Sequence, residues 1–170
     1  MINKNYPCNP ANYDCSKIRN KKSIKYIVIH YTGNKSDTAE NNCKYFAKNI
    51  TRTSAHYFID RDGNIAKSVN INRIAWSVGG LYKRVPLYGK ATNANTISIE
   101  LCDIVDKGIS AKQKKALKNL CNALIKKCPN IKDIIRHYDV NGKECPLYYV
   151  YNESKWNKLK KEVKEYVGLN

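Results

Sequence analysis

The sequence predicts a single α/β domain with a central mixed β-sheet flanked by helices, and three observations carry that prediction. Strand-like apolar runs alternate with segments of helical periodicity, the pattern of helices layered on a sheet. Asp62-Gly63 sits between two short apolar runs as a hairpin turn, and strands joined by a tight turn run antiparallel. At 170 residues the chain has the length of one domain that can bury a substantial core.

Residues 1–23 are polar, with Pro7, Pro10 and several Asn, and read as an extended leader packed on the surface ahead of a core spanning 24–167. Ile24 to His30 is nearly continuous in apolar and β-branched residues, which suits a central strand. Ser36-Asp37-Thr38 can cap a helix whose apolar positions are Ala39, Cys43, Phe46 and Ala47. Ser54 to Asp60 alternates as a strand, turns at Arg61-Asp62-Gly63-Asn64, and returns as Ile65 to Val69. A short strand ends in the loop at Val78-Gly79-Gly80, and 81–95 is irregular. Thr96 to Leu101 is a further strand. Ser110 and Gln113 form a capping box for a helix through Lys127, with Leu117, Leu120, Cys121 and Leu124 as its buried stripe. Ile131 to Ile135 is a strand that breaks at Asn141-Gly142, and a last helix from Ser154 to Val167 buries Trp156, Leu159 and Val163.

The net charge is +17, from 31 Lys and Arg against 14 Asp and Glu. Such a field favours polyanions, but the lysines lie on polar helix faces (Lys112, Lys114, Lys115, Lys118, Lys126), not in one arginine-rich block. A solvated face therefore outweighs a nucleic-acid site. No run approaches the ~18 apolar residues of a membrane span. Met1 to Pro7 lacks the apolar core of a secretory signal, so synthesis in the cytoplasm is expected. Seven cysteines without a C-x-x-C pair argue against a disulfide framework. Cys43, Cys121 and Cys128 suit small core positions. Cys8 and Cys15 are open to pairing with each other or to remaining free.

The chemistry centres on Arg136 to Pro146. His137 follows a strand, and Cys145 lies just past the Asn141-Gly142 turn, so a reversing chain can bring both to one point. His30 also stands at a strand exit. Imidazole and thiolate are the donors zinc prefers, and three protein ligands leave a fourth tetrahedral position open, the arrangement of a catalytic site. The donor set alone leaves the transition metal unassigned.

These residues also carry a resemblance. His30-Tyr31-Thr32-Gly33, Ser54 to Asp60, Ala75-Trp76, Ser98 to Leu101, and His137-Tyr138-Asp139-Val140 followed by Lys143-Glu144-Cys145-Pro146 occur together in order. The chain resembles the zinc-dependent N-acetylmuramoyl-L-alanine amidase type 2 family, with its peptidoglycan-recognition-protein-like fold, and especially phage endolysin catalytic domains. The resemblance implies one Zn2+ held by His30, His137 and Cys145. It also implies hydrolysis of the amide between the lactyl group of N-acetylmuramic acid and L-alanine in the peptidoglycan of a Gram-positive wall. Glu100 is then the base that serves the attacking water. It follows Ile97 and Ile99, and alternation points it away from both. Lys143 supplies positive charge to the tetrahedral intermediate. His56 and Trp76 are candidate substrate contacts, with His56 also a candidate support for the metal shell. Ala55 stands where one branch of the family has Tyr, so Tyr57 is not assigned that role. Ser77 stands where many relatives have His.

The expected setting is a cytoplasmic enzyme that reaches the wall after membrane permeabilisation, with anionic wall polymers as possible partners. Two other classes stay in view: a non-catalytic peptidoglycan-binding module of the same fold, and a basic nucleic-acid-binding protein. Glu100, Lys143 and Cys145 together speak against the first, and the His-His-Cys pattern is unexplained by the second.

Overall fold

A computed structural model describes residues 4–169. Its main sheet contains β1 (Lys4–Asn5), β3 (Tyr26–Tyr31), β4 (Tyr57–Ile59), β5 (Ile65–Lys67), β7 (Thr96–Leu101) and β8 (Asp133–Arg136), in the order β1-β5-β4-β7-β3-β8. All neighbours are parallel except β4 and β5, which form the antiparallel hairpin expected at Asp62-Gly63. A two-stranded antiparallel sheet pairs β2 (Tyr13–Asp14) with β6 (Ile74–Ala75). The helices are α1 (Ala39–Lys48), α2 (Ala111–Lys127), α3 (His137–Asn141), α4 (Leu147–Tyr151) and α5 (Glu153–Val167).

The sheet has two different faces. Ile27, Ile29, Tyr57, Ile59, Ile97, Ile99, Leu101 and Ile134 form the main core with Leu117, Leu120, Cys121 and Leu124 of α2 and Trp156, Leu159 and Val163 of α5. Phe58, on the other face, packs with Ala39 and Cys43 of α1. Side chains alternate along a strand, so residues one step from the isoleucines emerge on the α1 side. Glu100 is one of these, as alternation implies.

Capping fixes where the helices begin. The Thr38 hydroxyl accepts from the Asn41 N–H at 3.1 Å. Ser110 and Gln113 form the expected reciprocal box. Gln113 does more than cap: its buried amide donates to the Ile59 and Cys102 carbonyls at 2.8 and 3.0 Å, tying α2 to the sheet.

Three stretches differ from the sequence reading. Within 1–23, β1 extends the main sheet and β2 pairs with β6, because two-residue strands are too short to show periodicity. The run through Arg136 is a strand, but His137 to Asn141 closes into a short helix before the turn. Residues 147–151, left unassigned from sequence, form α4. All seven cysteines are free, with Cys8 buried and Cys15 exposed. No helix among the described residues is long and apolar enough to cross a membrane.

Gly142 ends α3 with φ +81°, and a Cβ there would meet the Lys83 Cβ at 2.5 Å and the Lys83 nitrogen at 2.9 Å. Lys83 belongs to the loop clipped to the end of α3, where the Tyr82 and Lys83 N–H groups donate to the Asn141 carbonyl at 3.1 and 2.8 Å. Gly142→Ala is therefore expected to cost about 1–3 kcal/mol, from strain at positive φ and from displacing that loop. A urea midpoint unchanged from wild type would contradict this packing.

Candidate metal centre

Strand register gathers the site. His30 on β3 pairs with Glu100 on β7, and Ile29 pairs with Arg136 on β8, the residue before His137. His30, Glu100 and His137 thus arrive together at the carboxyl ends of three adjacent parallel strands, where ligand sites of open α/β sheets form. Cys145 returns to them after α3. Its carbonyl accepts from the Tyr138 N–H at 2.9 Å, and its N–H donates to the Lys143 carbonyl at 2.7 Å.

The donor atoms of His30, His137 and Cys145 all lie within 4.8 Å of one another, and all three residues are buried. The Cys145 Sγ is 3.8 Å from the His30 Nδ1, the two imidazole centroids are 4.7 Å apart, and a Glu100 carboxylate oxygen is 4.0 Å from the His30 Nδ1. The His30 Nε2, both ring nitrogens of His137 and the Glu100 Oε2 are buried without a hydrogen-bond partner. Buried polar atoms are rarely left so, because each costs roughly 1–3 kcal/mol.

Burial sets the proton affinities. It holds the His30 imidazole well below its usual range, helped by His137, and takes His137 down to about 4, helped by Lys143. Burial pushes the Glu100 carboxyl up to about 8 against the pull of Lys143. It drives the Cys145 thiol well above its ordinary value, with Glu100 adding to the rise. Two imidazoles kept neutral and a buried thiol form a donor set that a soft divalent metal fits: neutral imidazole coordinates, and a coordinating thiol is deprotonated by the ion.

The centre opens into a cleft of about 790 Å3 whose lining includes Tyr31, Asp37, Asn42, Tyr45, Trp76, Ser77, Glu100 and Lys143. Trp76 is half-exposed along it. His56 is placed elsewhere. It is fully buried and lines no part of the cleft. Its Nδ1 accepts from the Ser98 N–H at 3.0 Å, and its Nε2 lies 2.9 Å from the Arg19 guanidinium and 3.2 Å from the Arg73 carbonyl. Its role is to pack β4 against β7 and the leader. Arg19, itself buried, donates further to the carbonyls of Ile71, Asn93, Ala94 and Thr96.

This arrangement has a pH signature. With Nδ1 accepting from Ser98, the neutral ring carries its hydrogen on Nε2; a second proton, on Nδ1, would face the Ser98 N–H, and burial with Arg19 takes the pKa down to about 3. A depressed folded-state value means stability present above the unfolded pKa of ~6.5 and lost as pH falls from there towards 3. Between about pH 7 and pH 5 this ring should remove on the order of 2 kcal/mol. Urea melts of wild type and His56→Gln at both pH values test it. Equal pH slopes in the two proteins would contradict the assignment.

With the geometry in place, the comparisons agree on a family. The profile described as N-acetylmuramoyl-L-alanine amidase (Amidase_2) matches residues 20–147. The chain belongs to this N-acetylmuramoyl-L-alanine amidase family. It is similar to the N-acetylmuramoyl-L-alanine amidase BlyA of Bacillus subtilis (strain 168), with 30% identity over 156 residues covering 84% of this chain and 42% of BlyA. It is likewise similar to the N-acetylmuramoyl-L-alanine amidase CwlA of the same strain, with 30% identity over 146 residues covering 85% of this chain and 50% of CwlA. The chain thus spans about half the length of these curated relatives or less. Its fold matches the solved structure of PlyL with TM-score 0.74 at 24% identity, covering 96% of this chain and 97% of that one.

Proposed function

We propose that this chain is a zinc-dependent peptidoglycan amidase that hydrolyses the bond between the lactyl group of N-acetylmuramic acid and the L-alanine of the stem peptide. The observation that carries the reading is the buried His30, His137 and Cys145 cluster opening into a cleft that also holds Glu100 and Lys143, in a chain of the amidase family.

In this reading His30, His137 and Cys145 hold one Zn2+. When bound, zinc supplies Lewis acidity towards the amide carbonyl and towards water. Glu100 takes a proton from the attacking water and delivers it to the departing amine, a task suited to a buried carboxyl whose proton affinity is raised towards neutrality. Lys143 places positive charge where the carbonyl oxygen becomes negative. Trp76 and the α1 residues along the cleft seat the glycopeptide.

Digestion of purified Gram-positive peptidoglycan tests the reaction. New L-alanine amino termini are expected, without new reducing ends. Reducing ends alone would mean glycosidic cleavage and sink the proposal.

The basic surface is read as a means of holding the enzyme to anionic wall polymers. Lys115, Lys126 and Lys127 on α2 are exposed, and their charge acts over a Debye length of roughly 8 Å at physiological salt. Reversing these three to Glu should weaken wall retention and flatten its salt dependence. Unchanged retention and salt dependence would refute this role. The substrate lies outside the cell membrane, so we place the chain's action at the wall, after cytoplasmic synthesis and membrane permeabilisation.

A further inference from the structure

Resting on the amidase reading, we propose that Asn93 is a positioning residue for the reaction: through one side-chain oxygen it holds the cleft wall at Trp76-Ser77 in the shape that receives the glycopeptide. Trp76 and Ser77 line the cleft together with Glu100 and Lys143, whereas Asn93 lies outside its lining. Strand β6 ends at Ala75, and residues 76–92 belong to neither helix nor strand. The wall therefore has no ladder to fix its course, and its backbone N–H groups must be satisfied another way.

Asn93 satisfies two of them. Its Oδ1 accepts from the Ser77 N–H at 3.0 Å and from the Val78 N–H at 2.9 Å, filling both lone pairs of one amide oxygen. The neighbouring contacts complete the wall. The Trp76 N–H donates to the Ser54 hydroxyl at 3.2 Å, the Trp76 carbonyl accepts from the Ser54 N–H at 3.0 Å, and the Ser77 hydroxyl is hydrogen-bonded to that of Ser98 on β7.

Asn93 is held from behind by the leader. The buried Arg19 guanidinium donates to the carbonyls of Asn93, Ala94 and Thr96 at 3.1, 3.2 and 2.7 Å, and the Thr92 N–H donates to the Asn95 Oδ1 at 2.8 Å. The network around Arg19 thus runs through Asn93 to the cleft. A residue acting this way governs how substrate is seated and leaves the metal donors and Glu100 in place. Loss of binding shared by ground and transition states raises KM and spares kcat.

Three substitutions test this. Asn93→Leu and Asn93→Ala remove the acceptor, and Asn93→Asp keeps one. Kinetics on N-acetylmuramoyl-L-alanyl-D-isoglutaminyl-L-lysine, read as released amino termini, should show KM raised about tenfold and kcat within about twofold in the Leu and Ala variants, with Asp near wild type. Acrylamide quenching of tryptophan fluorescence gives a second readout that needs no hydrolysis. The chain has two tryptophans, Trp156 at 3% exposure and Trp76 at 36%, so the quencher reports on Trp76. Quenching should shift in the Leu and Ala variants and stay at the wild-type value in Asp. A merely destabilised protein would lose active fraction, seen as a lower kcat at unchanged KM. That result, unchanged KM and quenching without the acceptor, or an Asp variant no better than Leu would each overturn the proposal. Absence of amino-terminus release by wild type would defeat the amidase reading instead, and the quenching comparison would still decide whether Asn93 holds the wall.

Discussion

Replacing Cys145 with serine is expected to strip the chain of most of its zinc and to lower amide hydrolysis by at least about 10²-fold. The lower bound follows from residues that merely support metal ligands, whose loss already costs 10–100-fold. Serine is nearly the size of cysteine, so the buried position is kept while its donor becomes a hydroxyl that a metal ionises far less readily. Cys145 is 3% exposed and its backbone is pinned to Tyr138 and Lys143, so the loop should hold its course. Circular dichroism checks the fold, elemental analysis the zinc, and amino-terminus release the activity. Full activity in Cys145→Ser would remove the thiol from the mechanism.

The second large effect is expected at Glu100. Glu100→Gln keeps the shape and the neighbourhood of His30 but cannot shuttle a proton. Its kcat should fall about 10²- to 10⁴-fold, the usual worth of a positioned general acid–base group. Zinc content should stay at the wild-type level, because Glu100 is not among the three donors gathered by the cluster. The pair of variants therefore separates roles: Cys145→Ser loses metal and activity together, whereas Glu100→Gln loses activity alone. A Glu100→Gln protein that lost its zinc would show Glu100 to be a ligand.

Much of this site was legible because its residues sit at the ends of strongly patterned strands. The β-branched run into His30 and the isoleucines before His137 announce central strands, and residues at the exits of parallel strands converge. Glu100 could be aimed from alternation alone, since Ile97 and Ile99 fill one face and it must take the other. His56 was not legible for a related reason. Residues 54–60 are buried on both faces, so alternation there says nothing about which side meets the cleft. Its partner Arg19 lies 37 positions away and reaches carbonyls as far as Thr96, contacts that no local pattern encodes. The five-residue helix α3 escaped because one turn and a half is too short for a 3.6-residue period to show.

The most direct test of the central claim is to strip the protein of metal and titrate zinc back, following amide hydrolysis together with zinc-edge X-ray absorption. Activity should rise linearly and break at one equivalent. The absorption spectrum should show two nitrogen donors near 2.0–2.1 Å and one sulfur near ~2.3 Å, the distances of a His-His-Cys zinc site. Hydrolysis that survives removal of the metal, or zinc bound without a sulfur neighbour, would contradict the assignment of His30, His137 and Cys145 as the centre of this molecule.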